Sequence, residues 1–260
     1  MVDETFVDVR GAKLFLRRAG AGEPLLFLHG IGGLPGWTDA LEKLAQHFTV
    51  IAPDHPGFGH SEPIEGIEDV GDLAYFYLDL LGALANGRVH IVGHSLGGWI
   101  AMAMAIRSTA QIQSLTLVDA AGISVNGVKR GDMFIGSAAE TGKLLFAGEE
   151  AATRWAALWQ SSDEMKELYD KNRAAAAKYT WQPRLYDPKL GRWLHRIDVP
   201  THIVWGEGDF LIPPAHGEEL QRLIPGAALT QIAGVGHLCD TEAPGAFTEA
   251  IVPFLAGLKP

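Results

Sequence analysis

Residues 93–98 read Gly-His-Ser-Leu-Gly-Gly, between an apolar run at 89–92 and an alanine-rich apolar run at 99–105. This order predicts a strand, a sharp turn with Ser95 at its apex, and a helix, which is the arrangement of a G-x-S-x-G nucleophile elbow. Glycines on both sides of the serine let the strand and the helix pack closely. Leu96 begins the helix, where its backbone N–H can hold an anion. The alternative is a plain glycine-rich turn in which Ser95 caps the helix.

Bulk composition narrows the possible functions. The chain has 260 residues, 47% of them hydrophobic, which suffices for one large α/β domain or two small ones. A net charge of −10 argues against nucleic acid and anionic lipid as partners. No apolar stretch reaches the roughly 20 residues that span a bilayer, the first residues do not resemble a signal peptide, and the single cysteine, Cys239, excludes an intramolecular disulfide. We therefore expect a soluble, cytoplasmic monomer or homodimer that acts on a small molecule without binding membranes.

Apolar runs recur along the chain and alternate with helical patterns. Runs that predict strands lie at 25–28, 48–52, 88–92, 115–118, 202–205 and 228–232, and a hairpin is predicted at 5–9 and 13–17. Helical spacing of apolar residues occurs at 37–46, 70–85, 218–223 and 244–255. This alternation predicts an α/β fold with a mostly parallel sheet that is covered by helices on both faces.

One region, 122–197, lacks strand patterns. It holds helical segments at 149–159 and 163–179 and is rich in aromatic residues, including Trp155 and Trp159. We interpret it as a helical cap over the carboxyl edge of the sheet, where open α/β folds bind ligands. The core domain would then comprise 1–121 and 198–260, and the two tryptophans are candidates for substrate binding. The alternative is an ordinary helical layer with its own small core.

Asp209 and His237 follow two successive predicted strands, each in a glycine-containing loop. Because the carboxyl ends of parallel strands meet at one sheet edge, both side chains are expected beside Ser95. The chain order Ser95, Asp209, His237 suits a triad in which the histidine takes the serine proton and the aspartate orients the histidine. Taken singly, the histidine would more often be a surface residue and the aspartate a turn former.

A second glycine-rich loop, His29-Gly30-Ile31-Gly32-Gly33, follows the predicted strand at 25–28. A backbone N–H in that position lies beside a nucleophile elbow and can complete an oxyanion hole. We predict Ile31 and Leu96 as the two donors, with Gly32 in reserve. Further candidates for substrate binding are Gly30, Gly32, His94 and Leu238, because each adjoins one of the predicted catalytic elements.

These motifs together resemble the α/β-hydrolase superfamily over essentially the whole chain. The matching segments are 29–33, 54–61, 93–98, 206–209 and 236–237. The resemblance implies the α/β-hydrolase fold with a cap, the Ser-His-Asp triad and a structural role for 54–61. Dehalogenases and epoxide hydrolases of this superfamily carry aspartate at the elbow, so Ser95 disfavours both.

The function that these residues favour is hydrolysis of small or medium carboxylic esters through an acyl-enzyme, without metal or cofactor. Lactonases and perhydrolases fit the same pattern. Carbon–carbon bond hydrolases that cleave vinylogous diketones are a further alternative, but they usually have asparagine before the serine and tryptophan after the histidine, where this chain has His94 and Leu238. A ligand-binding receptor that retains the triad is the alternative from outside enzymology.

Several other residues have weaker functional signals. Asp119 ends a predicted strand and could replace Asp209 as the acid, although a loop or capping role is the commoner one. Arg184 and Arg192 could meet an anionic substrate but more often such arginines pair with nearby carboxylates. The ten histidines show no metal-binding spacing such as H-E-x-x-H, and Cys239 is expected to be an inert buried thiol.

Overall fold

The strands of the protein form a single twisted layer. The computed structural model describes residues 1–84, 87–135 and 137–258. Within these ranges one eight-stranded sheet has the order β1-β2-β4-β3-β5-β6-β7-β8. The strands are β1 (Asp3–Val9), β2 (Ala12–Ala19), β3 (Pro24–Leu28), β4 (Thr49–Pro53), β5 (Val89–His94), β6 (Ile112–Val118), β7 (Thr201–Gly206) and β8 (Ala228–Ile232).

The sheet is parallel except at one edge. β1 pairs antiparallel with β2 through the turn at Arg10 and Gly11, which have φ of 52° and 86°. β2 also runs antiparallel to β4, whereas the pairs from β4 through β3, β5, β6 and β7 to β8 are parallel. The predicted hairpin and the predicted mostly parallel sheet are therefore confirmed. The carboxyl ends of β3, β5, β7 and β8 lie along the same edge.

Helices connect the strands. They are α1 (Asp39–Leu44), α2 (Val70–Leu84), α3 (Leu96–Ala105), α4 (Ala138–Leu145), α5 (Glu149–Trp159), α6 (Asp163–Thr180), α7 (Ala215–Leu223), α8 (Cys239–Glu242) and α9 (Pro244–Ala256). The helix predicted at 37–46 is shorter in the structure. It begins after Thr38, whose hydroxyl accepts a hydrogen bond from the Leu41 N–H and so caps α1. The last residue of the helix predicted at 70–85 lies outside the described residues. Across the described ranges, no helix has both the length and the apolar character needed to cross a bilayer.

Both faces of the sheet are buried. In β3, Leu26 and Leu28 belong to one apolar cluster together with residues of α2 and α3, while Leu25 and Phe27 belong to a second cluster with residues of α1 and α9. Successive side chains of a strand point to opposite faces, so this division follows directly from a continuously apolar run. The prediction that helices cover both faces is confirmed.

The chain between β6 and β7, which we call the insertion (122–197), contains α4, α5, α6 and two 3₁₀ turns, Leu190–Arg192 and Leu194–Arg196. Within its described residues there is no strand of the main sheet. Two of its contacts reach loops at the carboxyl edge of the sheet. The Asn172 side chain in α6 donates to the Gly32 carbonyl at 2.8 Å and accepts from the Gly59 N–H at 2.9 Å. The insertion is thereby fixed over the edge where the predicted catalytic residues lie.

Candidate active site

Ser95 occupies the turn between β5 and α3 in a strained backbone conformation. Its φ is 51° and its ψ is −111°, a backbone conformation that residues other than glycine rarely adopt. The turn is held from both directions, since the Ser95 N–H donates to the Val118 carbonyl at 2.8 Å and the Gly97 N–H donates to the His29 carbonyl at 3.1 Å. These bonds fix the serine side chain at the edge of the sheet.

The glycines around the serine are required by close packing. A Cβ on Gly93 would overlap the Gly97 carbonyl, and a Cβ on Gly97 would overlap the Leu28 carbonyl of the neighbouring strand. A Cβ on Gly98 would lie 2.5 Å from the Ala120 side chain. Real Cβ atoms do not approach other atoms so closely, so the strand and the helix meet only because these positions lack side chains.

Three buried side chains form a continuous hydrogen-bonded row. His237 Nε2 lies 3.0 Å from Ser95 Oγ, and His237 Nδ1 lies 2.7 Å from Asp209 Oδ2. Each of the three residues is 2% exposed. Because the carboxylate accepts only, Nδ1 carries the proton, and the unprotonated Nε2 accepts from the serine hydroxyl. The row therefore has the tautomer that a serine nucleophile needs.

The Asp209 carboxylate is oriented by its own loop. Its Oδ1 accepts the backbone N–H groups of Leu211 and Ile212, each at 2.8 Å, which leaves Oδ2 for His237. The loop is tied to the next one, because the Gly208 N–H donates to the Val235 carbonyl at 2.8 Å. A carboxylate with three charge-assisted hydrogen bonds has one stable orientation.

The His237 loop is held by Glu242, a residue that sequence reasoning did not identify. The Glu242 carboxylate accepts from the backbone N–H of Gly236 at 2.7 Å, of Ala147 at 3.2 Å and of Gly148 at 2.8 Å. Glu242 thus joins the His237 loop to the insertion. No local pattern signals this role, because two of its three partners lie more than 90 positions away in sequence.

Asp119 lies behind the row but does not contact His237 through a hydrogen bond in the described structure. Its Oδ1 accepts the Gly206 N–H at 2.8 Å, and its Oδ2 is buried without a partner. Burial, with a smaller contribution from the Asp209 charge, raises the pKa of Asp119 well above its ordinary value. Asp209, not Asp119, is therefore the carboxylate placed on the histidine.

Potential ligand atoms of Asp119, Asp209 and His237 lie within 4.8 Å of one another, so these residues form the one group among the described residues with metal-binding spacing. The His237 atom that faces the carboxylates is Nδ1, which already donates to Asp209. Metal binding there would require loss of that proton and of the tautomer just described.

The loop after β3 lies beside the elbow. A turn closes it, with the Gly33 N–H donating to the Gly30 carbonyl at 3.1 Å, and a Cβ on Gly30 would come within 3.2 Å of Ser95 Cβ. Ile31 and Leu96 are 4% and 0% exposed. Among the described residues, neither of their backbone N–H groups has a hydrogen-bond acceptor. The two N–H groups predicted to hold an oxyanion are thus uncommitted.

Buried side chains of His29, His55 and Tyr77 form hydrogen bonds that hold the backbone of this loop. His29 Nδ1 donates to the Gly30 carbonyl at 2.7 Å, and His29 Nε2 accepts the His55 N–H at 3.1 Å. His55 Nε2 donates to the His29 carbonyl at 2.9 Å, and the Tyr77 hydroxyl donates to His55 Nδ1 at 2.5 Å. Burial lowers the pKa of His29 to about 4 and that of His55 well below its ordinary value, so both rings are neutral near pH 7.

A cavity of about 100 Å³ opens onto Ser95 and His237. All six residues predicted to bind substrate contribute to its wall, namely Gly30, Gly32, His94, Trp155, Trp159 and Leu238. Sequence reasoning did not assign several further wall residues to the site, among them Leu34, Met133, Leu145, Leu158 and Asp240. The wall is mainly apolar, and the insertion supplies a quarter of its residues. The concentration of apolar residues in the insertion was the available sequence signal for Met133 and Leu145.

The arginines considered for an anionic substrate lie elsewhere. Arg184 forms an ion pair with Asp132, and its guanidinium stacks on Trp181 with 4.1 Å to the ring centroid. Arg192 is not among the cavity residues. The expectation of local pairing holds for Arg184. Cys239 is fully buried, and burial raises the pKa of its thiol well above the ordinary value, in keeping with an unreactive side chain.

Comparison with known proteins agrees with this architecture. A family model described as the alpha/beta hydrolase fold matches residues 23–239. An uncharacterized protein of Mycobacterium tuberculosis is 30% identical over 98% of this chain and 82% of its own length. A 2-hydroxy-6-oxo-6-phenylhexa-2,4-dienoate hydrolase of Burkholderia cepacia is 27% identical over 94% of this chain and 91% of its own. The structure of a thermophilic esterase from Thermogutta terrifontis has a TM-score of 0.74 and 24% identity, with 100% of both chains covered.

Proposed function

Because this chain belongs to the α/β-hydrolase family, as the match over residues 23–239 shows, we propose that it hydrolyses small or medium carboxylic esters through an acyl-enzyme. The observation that carries the proposal is the row of hydrogen bonds from Asp209 through His237 to Ser95, at 2.7 and 3.0 Å. A binding protein would have no need of a serine placed in a strained turn against an unprotonated imidazole nitrogen.

The reaction follows from this geometry in two halves. His237 Nε2 takes the hydroxyl proton while Ser95 Oγ bonds to the ester carbonyl carbon, and the tetrahedral intermediate then expels the alcohol, which receives that proton. Water enters next, gives a proton to the same nitrogen and attacks the acyl carbon. The carboxylic acid leaves, and Ser95 Oγ recovers its proton. Asp209 stabilises the imidazolium that exists during each half.

The backbone N–H groups of Ile31 and Leu96 are proposed to bind the oxyanion. Both belong to buried residues, and both lack acceptors in the described structure. A buried N–H without a partner ordinarily costs about 1–3 kcal/mol, so two such groups beside one serine suit a charge that develops during the reaction. Each donor in such a site is typically worth about 3 kcal/mol of transition-state stabilisation.

The insertion is proposed to act as the cap, with 1–121 and 198–260 as the core. Trp155, Leu158 and Trp159 of α5 and Met133 contribute to the wall of the cavity that contains Ser95. A cavity of about 100 Å³ is smaller than one that holds benzene, so it suits a short acyl or alkyl group. The preferred esters should therefore be short, with activity falling steeply as the acyl chain lengthens.

Covalent labelling tests the nucleophile. An organophosphate should add one phosphoryl group to Ser95, and Ser95→Ala should lose both labelling and hydrolysis of a p-nitrophenyl ester. Ser124→Ala, which removes an exposed serine, is the matched control and should keep both. An adduct at another residue, or full esterase activity in Ser95→Ala, would contradict the proposal. Binding of short esters without any turnover would favour a receptor instead.

One relative supports a second candidate, carbon–carbon bond hydrolysis, since the Burkholderia cepacia protein is named as a dienoate hydrolase. A dienoate carries a carboxylate, and no lysine or arginine is found among the described residues that line the cavity. The charges of the cavity thus favour the ester. A vinylogous 1,5-diketone tested beside short p-nitrophenyl esters separates the two, because the second candidate requires diketone cleavage with little ester hydrolysis.

A further inference from the structure

Asp240 is the one acidic residue among the described residues that line an otherwise mainly apolar cavity. It follows His237 by three positions, lies in α8, and is 7% exposed. Ser95, His94 and Leu238 contribute to the same wall. Asp240 is not part of the hydrogen-bonded row from Asp209 to Ser95, so the proposed mechanism assigns it no role.

The Asp240 carboxylate has few partners of its own. Its hydrogen bond in the described structure is with the Thr241 hydroxyl, at a long 3.4 Å. Of the two other buried acids nearby, Asp209 accepts three bonds of 2.7 to 2.8 Å, whereas Asp119 accepts one of 2.8 Å and leaves its Oδ2 without a partner. A largely buried carboxylate is costly unless donors surround it. Asp240 therefore keeps free acceptor capacity at the cavity wall.

The charged groups of the cavity wall do not offset the charge of Asp240. Among the described residues that line the cavity, there is no lysine or arginine. His94 lies close enough to interact with Asp240, but burial lowers its pKa, and its Nε2 donates to the His237 carbonyl at 2.9 Å. The remaining His94 nitrogen is thus an acceptor as well. This side of the cavity offers negative charge and acceptors, for which the complementary ligand group is a hydrogen-bond donor.

We propose that Asp240 determines specificity at this site, and that the preferred ester carries a hydrogen-bond donor, as an ammonium or a hydroxyl group, close to the reacting carbonyl. The inference rests on the proposed ester hydrolysis and names its substrate class. An ammonium group forms the stronger, charge-assisted bond, and a hydroxyl forms a weaker one. Because the cavity measures about 100 Å³, the donor lies within a few bonds of the carbonyl. An ester that carries a free carboxylate is disfavoured, because that carboxylate and Asp240 repel each other.

Phenyl esters of four matched acids test this proposal. They are 3-ammoniopropanoate, 3-hydroxypropanoate, butanoate and the succinate monoester, which differ only in the terminal group. For each enzyme, the kcat/KM for the ammonium, hydroxyl and succinate esters is divided by the kcat/KM for the butanoate ester. Each quotient is then compared between wild type and variant, so that differences in the chemical reactivity of the esters cancel. Asp240→Asn and Asp240→Leu are close to aspartate in size, and Asp170→Asn, an exposed residue of α6, is the control.

In Asp240→Leu the ammonium quotient should fall by about 10- to 100-fold and the hydroxyl quotient by about 2- to 10-fold, as expected for a charged and a neutral hydrogen bond. The succinate quotient should rise. Asp240→Asn should lose most of the ammonium preference and keep part of the hydroxyl preference, because its amide oxygen still accepts. Unchanged quotients in both variants, or an equal loss on all four esters, would overturn the proposal.

This outcome is separate from the fate of the proposed function. If wild type labels at Ser95 and cleaves butanoate while the Asp240 variants show unchanged quotients, only the specificity inference fails. If wild type cleaves none of the four esters and does not label at Ser95, the ester hydrolysis itself fails. Ammonium and hydroxyl esters are measured separately, so the result also identifies which donor the carboxylate selects.

Discussion

Replacing Asn172 with alanine should weaken both the protein and its catalysis, because this side chain joins the insertion to two loops of the sheet edge. Asn172 is 0% exposed in α6. Its Nδ2 donates to the Gly32 carbonyl at 2.8 Å, and its Oδ1 accepts the Gly59 N–H at 2.9 Å. Gly32 is the neighbour of Ile31, whose N–H is proposed to bind the oxyanion. We therefore expect the Asn172 amide to influence catalysis through the backbone of this loop.

The size of the effect follows from the two bonds. Alanine leaves the part-buried Gly32 carbonyl and the buried Gly59 N–H without a partner; a buried group in that state costs about 1–3 kcal/mol, and the part-buried carbonyl costs less. If water partly replaces the amide, the loss in the free energy of unfolding is about 2–4 kcal/mol. For a domain of this size that lowers Tm by about 4–16 °C. Displacement of a catalytic group by about 1 Å can cost up to 100-fold in rate, so kcat should fall by about 3- to 100-fold with KM little changed.

Urea unfolding and steady-state kinetics on a short p-nitrophenyl ester measure the two effects. Asp170→Ala, an exposed change on the same helix, is the control and should alter neither. Asn172→Asp separates the bonds, because its carboxylate still accepts from Gly59 but cannot donate to Gly32. If Asn172→Ala shifts the unfolding free energy by less than about 0.5 kcal/mol and leaves kcat intact, the coupling argued here does not exist.

Two further changes test the elbow and the buried histidines. Gly97→Ala places a Cβ against the β3 backbone, so it should lower the free energy of unfolding by at least about 1–3 kcal/mol and abolish activity. Gly245→Ala, whose Cβ would have no atom within 4 Å, should raise the free energy of unfolding by about 0.5–1 kcal/mol. Thermal melts of both variants measure these changes. The pKa of His29 is lowered from 6.5 to about 4, so between these values the unfolded chain binds more protons and stability falls as the pH falls. Between pH 7 and pH 5, His29 alone lowers the free energy of unfolding by about 2 kcal/mol. The raised pKa of Asp119 increases the free energy of unfolding over the same fall in pH. Urea midpoints across that range should decline in Asp119→Asn, which removes the opposing carboxyl group, and in Asp119→Asn combined with His47→Gln, an exposed control. A flat profile in both would refute the assignment of a neutral buried imidazole.

The elbow could be predicted from the sequence because its constraints are local. Gly93 and Gly97 are required by atoms of the adjoining turn, helix and strand, and a pattern of a few residues records that requirement. Asp209 and His237 could be placed because each directly follows a strand, and parallel strands end at a common edge. Their mutual distances confirm the predicted convergence, while their catalytic roles remain predictions.

Residues that hold the site in place could not be found in the same way. Asn172 contacts backbone groups 113 and 140 positions away, and Glu242 contacts groups 94 and 95 positions away, so no local pattern records either role. No sequence pattern distinguishes Asp240 from other polar residues near His237. Only its position in the cavity wall, with a single long hydrogen bond, distinguishes it.

These contacts also limit how the insertion can open. The insertion is fixed at α6 through Asn172 and again before α5, where Glu242 accepts from Ala147 and Gly148. A rigid opening of the whole insertion would break both attachments and displace the loop at 29–33 and the His237 loop together. α5 lies between the attachments and lines the cavity, and its Leu158 is 42% exposed while it contributes to the cavity wall. Movement of α5 alone would break neither of these attachments and would leave both loops in place.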